Sequence, residues 1–440
     1  MPTAISSGIS TEFTKDKKVL NVKEFFSFSD KIKKASAAAL EKTKDQFAAI
    51  ENIKEYNQQK ILAAFQHNNV CEADFGETTG YGYGDRGREK LDAIYAEAFG
   101  AEDAIVRHSF TCGTHTLAIA LYGILRPNDT MLCVTGTPYD TIHGVIGISG
   151  EGMGSLKDFG VKYAQVDLGK NGKPDLEAIE KALEIKPKMV YIQRSRGYSL
   201  RPSLSVDEIG EIARLVKSKC DAVIMVDNCY GEFVETREPT EVGADIIAGS
   251  LIKNAGGAIA RTGGYIAGRK DLVELCSYRA TTPGLGKEVG CTLGENRNMF
   301  MGIFNAPTVV AEALKTAVFS AALFEDLGFK VSPASSESRH DIIQALCLET
   351  PERLVNFCRG IQSGAPVDSF VAPEPWDMPG YDSKVIMAAG AFIMGSSIEL
   401  SADAPLREPY AVWMQGGINF PSAKVAVMLA ADKLNKEGLL

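Results

Sequence analysis

The sequence lacks any C-x-x-C pair, any long basic block and any N-terminal apolar core of signal-peptide length. Its nine cysteines (Cys71, Cys112, Cys133, Cys220, Cys229, Cys276, Cys291, Cys347, Cys358) are scattered and odd in number. They cannot all pair within one chain and read as free thiols of a reducing compartment. Forty-seven basic against fifty-six acidic residues leave a formal charge of −9, which argues against nucleic acid as a partner. No carboxylate or histidine cluster has metal-ligand spacing, so no metal is expected. No apolar run reads as membrane-spanning, and residues 1–22 read as an unpatterned arm, so a cytoplasmic protein with no membrane partner is expected. Gly147 to Gly154 is glycine-rich but lacks the strand, acidic partner and spacing of a dinucleotide fingerprint.

What is present is a chain of 440 residues, 45% hydrophobic and 23% charged, enough for one large and one smaller domain. Segments 1–70 (arm and helix), 71–305 (large domain) and 306–440 (smaller domain) are expected. Apolar residues at helical spacing run from Asp30 to Gln66. Strand signals follow at Asp103–Arg107, Met131–Val134, Val161–Val166, Met189–Ile192, Ala222–Val226 and Asp245–Ala248, with a returning strand at Gly263–Gly268. Helical segments separate most of them, which predicts an α/β domain with a largely parallel sheet, helices on both faces and a site at the strands' C-terminal ends. A long helix from about Thr308 to Leu327 is expected to lead into an α+β unit. Its strands are expected near Asp341–Leu348, Val385–Phe392 and Ser397–Leu400, and its helices at Glu352–Gln362 and Ser422–Leu434.

The central stretch is Ala248-Gly249-Ser250-Leu251-Ile252-Lys253-Asn254-Ala255-Gly256-Gly257. It sets one lysine between an apolar approach and a Gly-Gly exit, as a Schiff-base lysine requires, and burial there is expected to lower its pKa. Asp227 follows five apolar residues, where a carboxylate needs a cationic partner or caps a turn. Thr111, Cys112, Gly113 and Thr114 open a helix whose free N–H groups suit a phosphate or an ordinary cap. Tyr139 ends a strand and offers a face for stacking, or packs on its own loop. Tyr83 and Arg86 lie in a glycine-rich segment that suits phosphate oxygens or a plain surface loop. Arg196 at a strand end and Arg407 in the smaller unit are of the type that grips carboxylates.

In order and spacing, Thr79-Gly80-Tyr81-Gly82-Tyr83, Gly136 to Thr141, Val226 to Phe233, Gly249 to Gly257 and Ser397 to Arg407 resemble fold-type I pyridoxal-phosphate enzymes. The resemblance is to the Cys/Met metabolism group, and within it to the aluminium-resistance, or methionine gamma-lyase-like, family. It implies a carbon–sulfur lyase with pyridoxal 5'-phosphate held by Lys253 as a Schiff base. In that reading Asp227 pairs with the ring nitrogen, Tyr139 stacks on the ring, and Thr111 to Thr114 with Ser250 take the phosphate. Arg407, or else Arg196, takes the carboxylate of an amino-acid substrate. Tyr83 and Arg86 would reach the phosphate of a second subunit, implying a homodimer or homotetramer with sites at the interface. Thr141 stands where methionine gamma-lyases carry a cysteine two residues after the stacking tyrosine, which sets γ-elimination of methionine apart. Racemisation, transamination, replacement and non-catalytic binding of the cofactor are the alternatives.

Overall fold

The computed structural model describes residues 25–377 and 383–440, so the arm expected over residues 1–22 lies outside the described residues. Helices α1 (Asp30–Lys42) and α2 (Lys44–His67) make up the N-terminal helical stretch. They part at Thr43, whose hydroxyl turns back to donate to the Ala39 carbonyl at 2.8 Å.

Next come α3 (Arg86–Ala98), β1 (Asp103–Arg107), α4 (Gly113–Ile124), β2 (Thr130–Cys133), α5 (Asp140–Ile146), β3 (Lys162–Gln165) and α6 (Leu176–Ala182). They are followed by β4 (Met189–Gln193), α7 (Val206–Lys219), β5 (Val223–Asp227), β6 (Ile246–Ser250), β7 (Gly264–Gly268) and α8 (Lys270–Ala280). A capping box opens α7, with Ser205 and Glu208 each satisfying the other's backbone N–H. The strands form a sheet in the order β1-β7-β6-β5-β4-β2-β3. Strand β7 pairs antiparallel with both neighbours, and the remaining pairs are parallel. Successive residues of a strand enter different cores: Val190 and Ile224 pack on one face, Tyr191 and Met225 on the other. Burial on both faces is why these strands read as continuous apolar runs and not as alternating ones.

The helix expected from Thr308 is α9 (Asn296–Asp326), which begins twelve residues earlier and carries Pro307 in its interior. The boundary expected at 305/306 therefore falls within it. Pro307 gives up one helical hydrogen bond, at ~3 kcal/mol. Burial of Met299, Phe300, Ile303, Ala306 and Val310 on the same stripe keeps the helix continuous. Among the described residues α9 is long and apolar enough to cross a membrane, contrary to the sequence reading, and 83% of its most apolar window is buried inside the protein.

The last unit contains β8 (Lys330–Ser332), β9 (Gln344–Cys347), α10 (Pro351–Ser363), β10 (Val385–Ala389), β11 (Ser401–Pro405), β12 (Ala411–Gln415) and α11 (Phe420–Lys436). Its sheet is antiparallel, in the order β10-β11-β12-β9-β8. The strand expected at Ser397–Leu400 is displaced to β11. Its backbone is engaged elsewhere: the Ile398 N–H donates to the Ile252 carbonyl at 2.9 Å, and the Ile398 carbonyl accepts from Gly417. Mostly parallel α/β sheet plus smaller α+β unit is the architecture the sequence reading anticipated.

The loop leaving β6 is seated on α9 at one point. Gly257 has φ +53°, and a Cβ there would lie 2.2 Å from the Gly302 carbonyl oxygen and 2.9 Å from the Ala306 nitrogen. Gly257→Ala is expected to cost about 2–5 kcal/mol, from left-handed strain plus overpacking, read as a lowered urea midpoint. A midpoint equal to wild type would mean that this loop shifts freely on α9.

Candidate active site

Strands β4, β5 and β6 end together, with Gln193 in register with Asp227 and Asp227 with Ala248. Ser250 closes β6 and Lys253 enters a short 3₁₀ turn, Asn254–Gly256. Asn254 anchors that turn by donating to the Glu232 carbonyl at 3.0 Å. From the other side α4 presents its N-terminus, capped by Cys112, whose sulfur accepts from the His115 N–H at 3.4 Å. These elements converge on Gly113. A Cβ placed there would lie 3.5 Å from Ser250 Cβ, 3.6 Å from Cys229 Sγ and 3.9 Å from Lys253 Nζ.

The result is a cavity of ≈ 430 Å³ whose wall includes Lys253, Asp227, Tyr139, Ser250 and the run Thr111, Cys112, Gly113, Thr114. Eight residues singled out from widely separated stretches of sequence thus meet in one place. Tyr139 caps α5 and is pressed against the turn after β4, since a Cβ on Gly197 would lie 3.1 Å from its ring. Thr114 and Thr141 share a hydroxyl–hydroxyl hydrogen bond of 2.7 Å, so Thr141 also lines the cavity. The outer wall is formed by Met394, Gly395 and Ser396. Glu399 clamps this loop by accepting from the Phe392 and Ile393 N–H groups at 2.9 and 2.7 Å.

Burial pushes the Asp227 carboxyl up, while the Lys253 charge and the Cys229 backbone N–H pull it back down. Cys229 N–H and the Tyr191 hydroxyl donate to it at 3.1 and 3.4 Å. The Lys253 amine sits 4.2 Å from the Tyr230 ring centroid, in cation–π contact. Desolvation lowers its pKa, as the sequence reading expected. Cys229, Tyr230, Asp227 and Glu232 together raise it by more, so the net direction is upward. The expectation considered only the apolar neighbours in sequence; the acidic ones arrive from β5 and the loop behind it.

Four expected site residues lie elsewhere. Arg407 is exposed and lines a second cavity of ≈ 290 Å³, together with buried Arg196 and Arg201. That cavity adjoins the first through Tyr139, Gln193, Gly197 and Tyr198, which line both. The Arg196 guanidinium donates to the Ser332 carbonyl and hydroxyl, both at 2.9 Å. Tyr83 is exposed and stacks on Tyr81 at 5.4 Å, and Arg86 pairs with Asp74 at 2.8 Å. Neither lines the Lys253 cavity of its own chain. Sequence reading missed Tyr198, Tyr230, Asp403, Trp413 and Gln415, which do line it. Asp403 lies between two alanines in β11, without the five-residue apolar approach that had marked Asp227. All nine cysteines are free, and no group of metal-ligating residues occurs among the described residues.

Comparison with known proteins agrees with this geometry. Residues 32–435 match the family described as methionine gamma-lyase. The chain is 51% identical to the carbon–sulfur lyase involved in aluminum resistance from Clostridium novyi NT, with a TM-score of 0.90 covering 92% of this chain and 96% of that one. It is 47% identical over 393 residues to the uncharacterized protein YnbB of Bacillus subtilis (strain 168), covering 89% of this chain and 93% of YnbB. The pyridoxal-5'-phosphate dependent protein YhfS of Escherichia coli shares the fold, at 17% identity and a TM-score of 0.61 over 88% of this chain and 97% of that one. With the sheet order, the lysine after β6 and the aspartate ending β5 in place, the chain belongs to the methionine gamma-lyase family, whose fold relatives are pyridoxal-phosphate-dependent enzymes.

Proposed function

We propose that this protein is a pyridoxal-phosphate-dependent carbon–sulfur lyase acting on a sulfur-containing amino acid. The observation that carries the reading is the convergence on Gly113 of Lys253, Ser250 and the α4 N-terminus. The cavity also fits the cofactor chemically. Ser250 Oγ is buried with no partner among the described residues, and it lies beside helix N–H groups that favour an anion. Asp227 is a buried carboxylate that a cationic ring nitrogen would stabilise. Tyr139 supplies an aromatic face on the same wall.

When bound, pyridoxal phosphate supplies an electron sink that withdraws density from the substrate Cα. The chain's own groups do the rest. Lys253 would hold the cofactor through Nζ, and as the free, neutral amine it would take the substrate's Cα proton at that atom and return it to the product. Asp227 would stabilise a protonated ring nitrogen with its negative charge. Ser250 and residues 111–114 fix the phosphate end. The Glu399-clamped loop shields the cavity from water. The C–S bond breaks with departure of a thiol, and hydrolysis leaves ammonia and a 2-oxo acid. Arg407 and Arg196, on the adjoining cavity, serve the substrate carboxylate. Exposed Tyr83 and Arg86 serve a neighbouring copy, in at least a dimer, and the protein works in the cytoplasm.

The test is the visible spectrum of the purified protein with cysteine, cystathionine and methionine added separately, alongside assays for ammonia and 2-oxo acid. A yellow band that shifts with one of them while product accumulates supports the reading, and a protein that stays colourless with added pyridoxal phosphate sinks it. Arg407→Ala is expected to raise KM for the amino acid about 10- to 100-fold, the loss of a charge-assisted pair, with cofactor affinity unchanged. An unchanged KM would transfer that role to Arg196.

A further inference from the structure

Asp403 is 2% exposed, and no catalytic step above uses it. Its Oδ2 accepts from the Tyr198 hydroxyl at 2.9 Å, while Oδ1 has no partner among the described residues. It stands directly across the β11–β12 pairing from Trp413. Cross-strand partners share a sheet face, so carboxylate and indole are neighbours. The Tyr198 ring lies 5.6 Å from Trp413 at 56° and 5.8 Å from Tyr139 at 59°. Carboxylate and all three rings line the Lys253 cavity. A buried carboxylate with an open lone pair is costly unless a cation or donor meets it, and aromatic faces around it favour a cation. On the opposite strand Gln415 lines the same wall, with its amide beside the Tyr230 hydroxyl.

We propose that Asp403, with Tyr198 and Trp413, is the specificity site for a second, cationic nitrogen on the substrate, so that the preferred substrate is a thioether amino acid whose departing thiol carries an ammonium group. This rests on the sulfur-amino-acid reading above. Burial pushes the Asp403 carboxyl up to about 6, against the pull of the Tyr198 hydrogen bond. The groups facing it are Tyr198, Tyr230, Cys358 and, across the cavity, Lys253. Tyr230 is pushed up to about 12, and Cys358 and Lys253 are also displaced upward, so Asp403 is the shifted group of this set that titrates in weak acid. Raised above the ordinary carboxylate range, it is charged above about 6 and neutral below, and cation selectivity should follow that sign.

The experiment compares S-(2-aminoethyl)-L-cysteine with its neutral isostere S-propyl-L-cysteine on the holoenzyme. Dissociation constants come from calorimetry and from the change in the visible band, and 2-oxo acid is followed in the same samples. Wild type should bind the cationic ligand at least about tenfold more tightly near neutral pH, a ratio that falls toward one at about pH 5. Asp403→Asn should bring it near one while retaining affinity for the propyl compound. A wild-type ratio of one, a ratio indifferent to pH, or a ratio unchanged in Asp403→Asn overturns the proposal. The pH series needs no variant, so a misfolded Asp403→Asn leaves the test intact, and using a ratio cancels any titration common to both ligands. Selective binding without product would remove the lyase reading and keep the Asp403 site; turnover of both without selectivity would do the reverse.

Discussion

Lys253→Ala is expected to take up no covalent label when treated with pyridoxal phosphate and borohydride, whereas wild type should take one per chain, and its turnover should fall by at least about 10³-fold. The effect follows from placement. Among the described residues no other lysine lines the cavity, and the Lys253 amine is directed there by the short turn after β6 and by the Tyr230 ring 4.2 Å away. The backbone around it is held without the side chain: Asn254 donates to Glu232, and the Ile252 carbonyl accepts from Ile398. The variant should therefore fold, and loss of label would report chemistry and not collapse. Removing the cation also withdraws a charge that pulls the Asp227 carboxyl down, so that carboxyl should move further up. Label retained at full stoichiometry, located by peptide mapping on another lysine, would end the assignment.

How far the sequence could be read depended on where each signal was stored. Lys253, Asp227, Ser250 and residues 111–114 each end or begin a single element of a parallel sheet, and such a sheet brings those ends to one edge. Local pattern was enough for them. Tyr198 and Asp403 meet only because the loop after β4 packs against β11, and the hydrogen bond between them spans 205 positions. Trp413 joins them through strand pairing, which no local pattern carries. The start of α9 was misplaced for a related reason: Pro307 is a strong local stop, and burial of the residues on either side of it overrode that signal. The direction of the Lys253 shift was misjudged because its acidic neighbours arrive from other elements. Arg407, two residues beyond β11, lines the cavity that adjoins the Lys253 site.

Asp227→Asn separates holding the cofactor from activating it. The asparagine is nearly isosteric: its carbonyl oxygen can still accept from the Cys229 N–H, now at 3.1 Å, and its amide can donate to the Tyr191 oxygen, now 3.4 Å from the carboxylate. Lys253, Ser250 and the α4 N-terminus are untouched, so the yellow band should persist. What disappears is a fixed negative charge in a buried site, where charge is worth far more than in water. Turnover is expected to fall on the order of 10²–10³-fold at an unchanged cofactor stoichiometry. Because the carboxyl is pushed up by burial, the wild-type rate should also decline when acid protonates it, and the variant's rate should lack that limb. A variant turning over at near the wild-type rate would mean that the ring nitrogen is paired by another group. Glu232, on the loop after β5, is pushed up to about 8 by burial and already accepts from the Tyr265 hydroxyl at 2.8 Å, so near neutral pH it is mostly protonated and supplies no such charge.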